Sequence, residues 1–434
     1  RVEAEVELKR RCVVLPSRLI VRHSCGSKMA SDGESTFRLS VPIPSEEERQ
    51  ILVKPLSPEE VLGFSDYLAG IPPEILQVEQ QPSTFEKSDV GRLLTVLQHQ
   101  ESDRIPHLEL GIASKGVYKY VLERELETNS GHAGLGGLSI SPINRVEFAQ
   151  RLGMDAVACR LAWQPEGGLD GAQGWVKTWS DLEKLESPQS LASQLGCLER
   201  HLRAAQGTGV GVVVSLPSFF ASALQALGIS DLSSCHQDRP FLEAAIDMLL
   251  DYWTRMMWAV CDRFASDLAF VQVDEDLSAA EGDAELFMEI YPRRMERLIA
   301  PAKQHGKLVA LHSGGKLDKL LPMVHKVGFE IIYPIQLDAG AVLEIKKTWS
   351  GRLALIGEFP APLLASASPD EIEAQVRETC RRLAPGGGYA IGSSSEITDT
   401  VPPENFVAMT RAVHRYGRYG SLGSTVADGP HPSA

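Results

Sequence analysis

No two of the seven cysteines (Cys12, Cys25, Cys159, Cys197, Cys235, Cys261 and Cys380) stand at Cys-x-x-Cys spacing, and their number is odd. That absence excludes a zinc-finger framework, offers no disulfide scaffold, and suits a reducing compartment where most of these thiols are inert core side chains. Cations are scarce too: 43 Lys and Arg against 57 Asp and Glu leave a formal charge of −14 and an isoelectric point near 5.3. Without a basic surplus to displace counterions, nucleic acid is not the expected partner. Long apolar runs are missing as well. LALIGEF from Leu353 is far too short to cross a bilayer, and no charged-then-apolar leader opens the chain. The expectation is a soluble, cytoplasmic protein acting on a small molecule, with no membrane partner.

What is present is an ordinary globular mixture, 43% hydrophobic and 23% charged, in 434 residues, enough for one large α/β domain and an appendage. Residues 1–28 are locally basic and precede Met29-Ala30-Ser31, which reads like a polar N-terminus, so this arm is expected to be non-native or disordered. Residues 29–87, broken by PIPSEEE, PLSPEE and IPPE, read as a small N-terminal appendage without chemistry. Residues 88–420 form the body, and 421–434 (SLGSTVADGPHPSA) a disordered tail.

From Val90 onward helical and strand patterns alternate. VGRLLTVLQ has apolar spacing near 3.6. HLELG, MDAVACRLAW, GVGVVVSLP, LAFVQVDEDL, KLVALHSGG, FEIIYPIQL, RLALIGEF and GGYAIGSS are strand candidates separated by amphipathic stretches. About eight β-then-α units emerge, the number that closes a (β/α)8 TIM barrel. Ser368-Pro369-Asp370-Glu371 is a capped helix start, and Gly386-Gly387-Gly388 a stop. GHAGLGG at Gly131–Gly137 imitates a phosphate-binding loop only loosely, because no strand immediately precedes it.

In a parallel barrel the strand C-termini form the reactive rim. VQVDEDL and LVALHSGG each end an apolar run in ionisable residues, which nominates His312, Asp274, Asp276 and, from LALIGEF, Glu358 as catalytic groups. Asp274 and Asp276 should face one way and Glu275 the other, since strand side chains alternate. A pair of His312 and Glu358 is the candidate site for a divalent metal with hard ligands. His107, Glu109, Trp163, Glu275, Gly314, Tyr389 and Ser395 are the expected substrate-binding set, with Trp175 and Trp179 extending an aromatic wall from Trp163.

GRLLTVLQHQESDRIP, VQVDEDL, LHSGG, VGFEIIYPIQ and LAPGGGYAIGSSSEITDTVPPENFVAM, in order between about residues 88 and 420, resemble signature segments of the uroporphyrinogen decarboxylase superfamily. The resemblance implies its (β/α)8 barrel, often paired as a homodimer. True porphyrinogen decarboxylases carry arginines after the first strand to grip substrate carboxylates, whereas LELGIASKGVYKY offers only Lys115 and Lys119. VEFAQRLGMDAVACR looks nearer the branch that passes methyl groups to or from a corrinoid protein. Thiol-activating members of that branch hold zinc with a His-x-Cys pair and a later Cys. Here His312 matches the His, but Gly314 and Ser395 occupy the cysteine places, so no zinc thiolate site is expected there. The resemblance thus implies methyl transfer from a small donor to a corrinoid on a separate protein. The alternatives are cofactor-free decarboxylation of uroporphyrinogen or a related carboxylate, and a non-catalytic ligand-binding barrel.

Overall fold

The computed structural model describes residues 85–126, 140–161, 174–184, 191–229, 238–277, 283–314, 317–333 and 339–422. It describes their side chains except at 184, 191–193, 276, 339–340, 358 and 421–422. The basic arm, nearly all of the appendage, the Gly131–Gly137 loop and residues 423–434 of the tail lie outside the described residues.

Eight parallel strands stand in sequence order: β1 (Leu108–Glu109), β2 (Ala156–Arg160), β3 (Gly211–Pro217), β4 (Leu268–Asp276), β5 (Val309–Gly314), β6 (Ile331–Tyr333), β7 (Ala354–Phe359) and β8 (Tyr389–Ser393). A bridge between His107 and Ile391 joins the last strand to the first, so the sheet curls into the expected TIM barrel. A helix α1 (Val90–Leu97) precedes β1, and α2 (Lys115–Leu122) and α3 (Pro142–Leu152) follow it. Beyond the later strands come α4 (Leu191–Ala205), α5 (Phe219–Leu227), α6 (Arg239–Phe264), α7 (Pro292–Gln304), α8 (Leu321–Val327), α9 (Ala339–Thr348), α10 (Pro369–Leu383) and α11 (Pro403–Tyr416). Among the described residues no helix is long and apolar enough to cross a membrane.

Strand alternation sorts the apolar residues into two layers. Leu108, Ala156, Val213, Phe270, Ala310, Ile331, Ala354 and Ala390 fill the barrel interior, while Val157, Val214, Leu311, Ile332, Leu355 and Ile391 pack outward against the helices. Leu93 and Leu97 of α1 belong to the inner layer, so α1 plugs the barrel from below. Asp89 caps this helix by accepting from the Gly91 amide at 2.8 Å. The capping box predicted for α10 is present, Ser368 and Glu371 satisfying each other's backbone amides. The three glycines after α10 all take positive φ. A Cβ on Gly387 would stand 2.5 Å from the carbonyl oxygen of Gln100, so that turn also admits the segment following α1.

Ion pairs lock the plug. Arg92 on α1 grips Asp103 at 2.6 and 2.7 Å and Asp155, just before β2, at 2.6 Å. Arg104 reaches Asp155 at 3.2 Å, and the amides of Asp89 and His107 donate to the same carboxylate at 3.0 Å. Arg104 and Asp155 are wholly buried, so each depends on the other for compensation. GRLLTVLQHQESDRIP, one of the segments carrying the superfamily resemblance, therefore supplies the stopper and its fastening at the end of the barrel remote from the rim.

Candidate active site

The side chains of Asp274 on β4 and His312 on β5 point into the barrel. Register pairs Asp274 with His312, and the two side chains meet: His312 Nδ1 lies 3.1 Å from Asp274 Oδ1. An ionised carboxylate only accepts, so Nδ1 carries the hydrogen and Nε2 is left to the mouth. Arg160, the last residue of β2, reaches Asp274 Oδ2 with Nε at 3.4 Å and Nη2 at 3.3 Å. Gln272 donates to Asp274 Oδ1 at 2.7 Å and to Ser215 Oγ at 3.1 Å. Burial alone would raise the Asp274 carboxyl, but the His312 hydrogen bond, the Arg160 charge and Ser215 outweigh it and hold it well below the usual carboxylate range. Asp274 is therefore a permanent anion at neutral pH. The side chains of Arg160 and His312 keep 18% and 26% of their surface exposed, which is how a ligand in the mouth would reach them.

Tyr333 ends β6 on the same inner face, its ring centroid 6.1 Å from that of His312. Its hydroxyl accepts from the Leu110 amide at 3.0 Å, spanning from β6 to the segment after β1. Burial pushes the phenol well above its ordinary value, so it stays neutral. A Cβ on Gly392 would stand 3.3 Å from that hydroxyl and 2.3 Å from the Leu108 carbonyl, so the crossing needs a bare backbone there.

Of the expected set, Asp274 and His312 come together, with Gly314 closing β5 beside them and Ser395 exposed beyond β8. Other expected residues face elsewhere. Glu275 points outward, is buried, and accepts from the Ala221 amide at 2.9 Å in the first turn of α5, where a carboxylate serves a helix N-terminus. Tyr389 lies in the outer layer and donates to the Gly357 carbonyl at 2.8 Å. His107 and Glu109 are paired at 3.2 Å on the outer face of the β1 region, His107 against Phe406 of α11. The Glu109 carboxylate accepts from the Ser393 amide at 3.0 Å to each oxygen, and from the Ser393 hydroxyl. These four residues therefore do not line the mouth; for His107 and Glu109 the two-residue β1 had left their facing uncountable from sequence. Trp179 packs on Phe241 at the surface and Trp175 against the outer core. Trp163 lies outside the described residues. So do the side chains of Asp276 and Glu358, although Glu358 pairs by backbone register with Gly392.

Arg160 and Tyr333 escaped the sequence reading. Arg160 carries the same signal as His312, an ionisable residue ending an apolar strand, in MDAVACRLAW. A zinc thiolate centre does not fit this mouth, because His312, Gly314 and Ser395 supply one imidazole and no thiolate. The described histidines, cysteines and carboxylates cluster at ligand spacing in one place, Cys159, Cys197 and His201, on the outside of the barrel wall.

The family described as uroporphyrinogen decarboxylase (URO-D) matches residues 153–416. No curated protein sequence matches the chain. Among solved structures, a methyltransferase from Methanosarcina mazei is similar at 16% identity and a TM-score of 0.58, over 76% of this chain and 99% of the other. A glycoside hydrolase family 5 enzyme from Prevotella bryantii B14 is similar at 10% identity and a TM-score of 0.46, over 77% of this chain and 100% of the other. The first of these likenesses supports the barrel fold.

Proposed function

Since the chain belongs to the uroporphyrinogen decarboxylase family, we propose that its barrel mouth is an enzyme site passing a methyl group from a small methyl donor to a corrinoid on a separate protein. The observation that carries this reading is the His312–Asp274 pair. An oxygen- or nitrogen-bound methyl group leaves behind a basic heteroatom, and a positioned acid eases its departure. The bond between heteroatom and methyl breaks, the electron pair stays on the heteroatom, and that atom takes a proton from Nε2 of His312. Asp274 keeps the imidazole in one orientation through Nδ1, the positioning role of the carboxylate in a catalytic triad. Arg160 offers a cation to an anionic part of the donor. The corrinoid, when docked over the mouth, supplies the nucleophile. The name of the Methanosarcina mazei methyltransferase is in keeping with this assignment.

The test is the absorbance of cob(I)alamin mixed with the protein and a panel of methoxylated and methylamine donors. We expect conversion to methylcobalamin with at least one donor, and none with His312→Ala. Silence across the panel would overturn the reading.

Arg160 favours one other reading, decarboxylation without a cofactor, because it is an inward cation where a substrate carboxylate would need one. Incubation with uroporphyrinogen and chromatography for coproporphyrinogen decides it. A single mouth arginine is few for a substrate with many carboxylates, and no product is expected.

A further inference from the structure

Away from the mouth, on the opposite face of β2, lies a cluster that the proposed reaction does not use. In β2 the residues alternate, so Arg160 enters the barrel while its neighbour Cys159 faces outward and is 1% exposed. Helix α4 runs over that face, and its Cys197 and His201 stand one turn apart on the side turned to β2. One ligand atom from each of the three residues lies within 4.8 Å of the other two, and Cys197 Sγ is 4.0 Å from His201 Nδ1. Tetrahedral zinc with bonds of about 2.3 Å to sulfur and about 2.0 Å to nitrogen separates such atoms by roughly 3.6 Å. Closing the Cys197–His201 gap takes about 0.4 Å, and the other separations close by at most about 1.2 Å, within reach of side-chain rotation.

We propose that Cys159, Cys197 and His201 form a binding site for a thiophilic divalent cation, Zn2+, that staples α4 to the outside of β2. Two thiolates and one imidazole around Zn2+ make a neutral assembly, which a mostly buried site tolerates far better than a bare charge. Soft sulfur ligands select zinc over magnesium or calcium. Three protein donors leave one tetrahedral position for water, and Cys197 is the partly exposed member of the set. The cysteines are already poised. The hydrogen bond from Cys159, together with His201 and Arg200, pushes the Cys197 thiol down despite its burial, while Cys159 is pushed up. Cys261 and Cys380, buried without such neighbours, are both pushed up to about 12 and behave as core thiols. To ligate through Nδ1, His201 gives up its 2.9 Å bond to the Cys197 carbonyl, an exchange within one helical turn.

The experiment uses the full chain, purified under reducing conditions and loaded with Zn2+ or Co2+. We expect about one zinc per chain and, with Co2+, a sulfur-to-metal charge-transfer band with intense tetrahedral visible bands. Cys197→Ser and Cys159→Ser should each abolish the band, and His201→Ala should weaken zinc binding about tenfold or more, with the far-ultraviolet circular dichroism unchanged. His312→Ala should keep both metal and band, which separates this site from any metal at the mouth. A folded wild-type chain that shows no thiolate band overturns the proposal, as does zinc retained in Cys197→Ser. So does a Cys159–Cys197 disulfide that persists in the reduced protein.

Discussion

Two aspartates mark the two ends of this barrel, and each meets an arginine, yet they are built for different work. Asp155, at the plugged end, is completely enclosed and takes hydrogen bonds from Arg92, Arg104 and two backbone amides. Asp274, at the mouth, holds Arg160 at 3.3 Å and His312 at 3.1 Å, and both partners keep an open side. A saturated carboxylate fastens the fold, whereas one whose partners stay accessible can hand them to a ligand. The same residue type therefore reads as stability at one end and as chemistry at the other, as the geometry of parallel barrels leads one to expect.

The comparison breaks first at Asp155. Asp155→Ala strands the buried Arg104 without its main counter-charge and should cost about 3–5 kcal/mol in urea unfolding. A change below about 1 kcal/mol would show that the lower network is ornamental. The matching substitution, Asp274→Asn, should cost clearly less in unfolding than Asp155→Ala while lowering turnover by about 10²–10⁴-fold, because His312 loses the anion that orients it. If Asp274→Asn destabilises as much as Asp155→Ala, the two ends do not differ in kind. Arg160→Gln sharpens the contrast: losing a charge-assisted contact worth about 1.5–3 kcal/mol should raise KM by roughly 10–100-fold at constant stability. An unchanged KM would remove Arg160 from substrate binding.

A smaller effect should separate the ends by pH. His414 of α11 donates to the Leu152 carbonyl beside the lower network, and burial, then Arg104, His107 and Arg92, push it down to about 3. An unfolded histidine titrates near 6.5, so between about pH 6.5 and 3 the unfolded chain binds a proton that the folded chain refuses. Stability from this source is complete above about pH 6.5, declines as the pH falls, and levels off below about 3. Urea midpoints measured at pH 7, 5 and 4 should drop for the wild type and less steeply for His414→Gln. Equal slopes would show that the lower end does not govern the acid response.

Much of this was legible in the order of residues. An apolar, β-branched run ending in a charge marked β4 and β5, and simple alternation set Asp274 and Glu275 on opposite faces, but Glu275, expected among the substrate-binding residues, is the outward one and serves α5. The same rule applied to MDAVACRLAW would have found Arg160. It failed for His107 and Glu109 because a two-residue strand supplies no alternation to count. Tyr333 was hidden because its reach to Leu110 crosses the lumen and leaves no local trace. Cys159 and Cys197 could not be paired from spacing, since only the packing of α4 on β2 brings them together. GRLLTVLQHQESDRIP taught the opposite lesson: a segment that identifies the ancestry so well turned out to hold the base of the barrel shut.

The seam between β8 and β1 has one more consequence. Where a continuous ladder would give the Ser393 amide a main-chain acceptor, a side-chain carboxylate from Glu109 takes it, so the cylinder is fastened there by a latch. A latch can be undone by protonating or removing a single group, which a ladder does not allow. Amide exchange at Ser393 should therefore quicken in Glu109→Gln while the amides of β3 to β5 keep their protection, making this joint the first stave to loosen when the cylinder breathes.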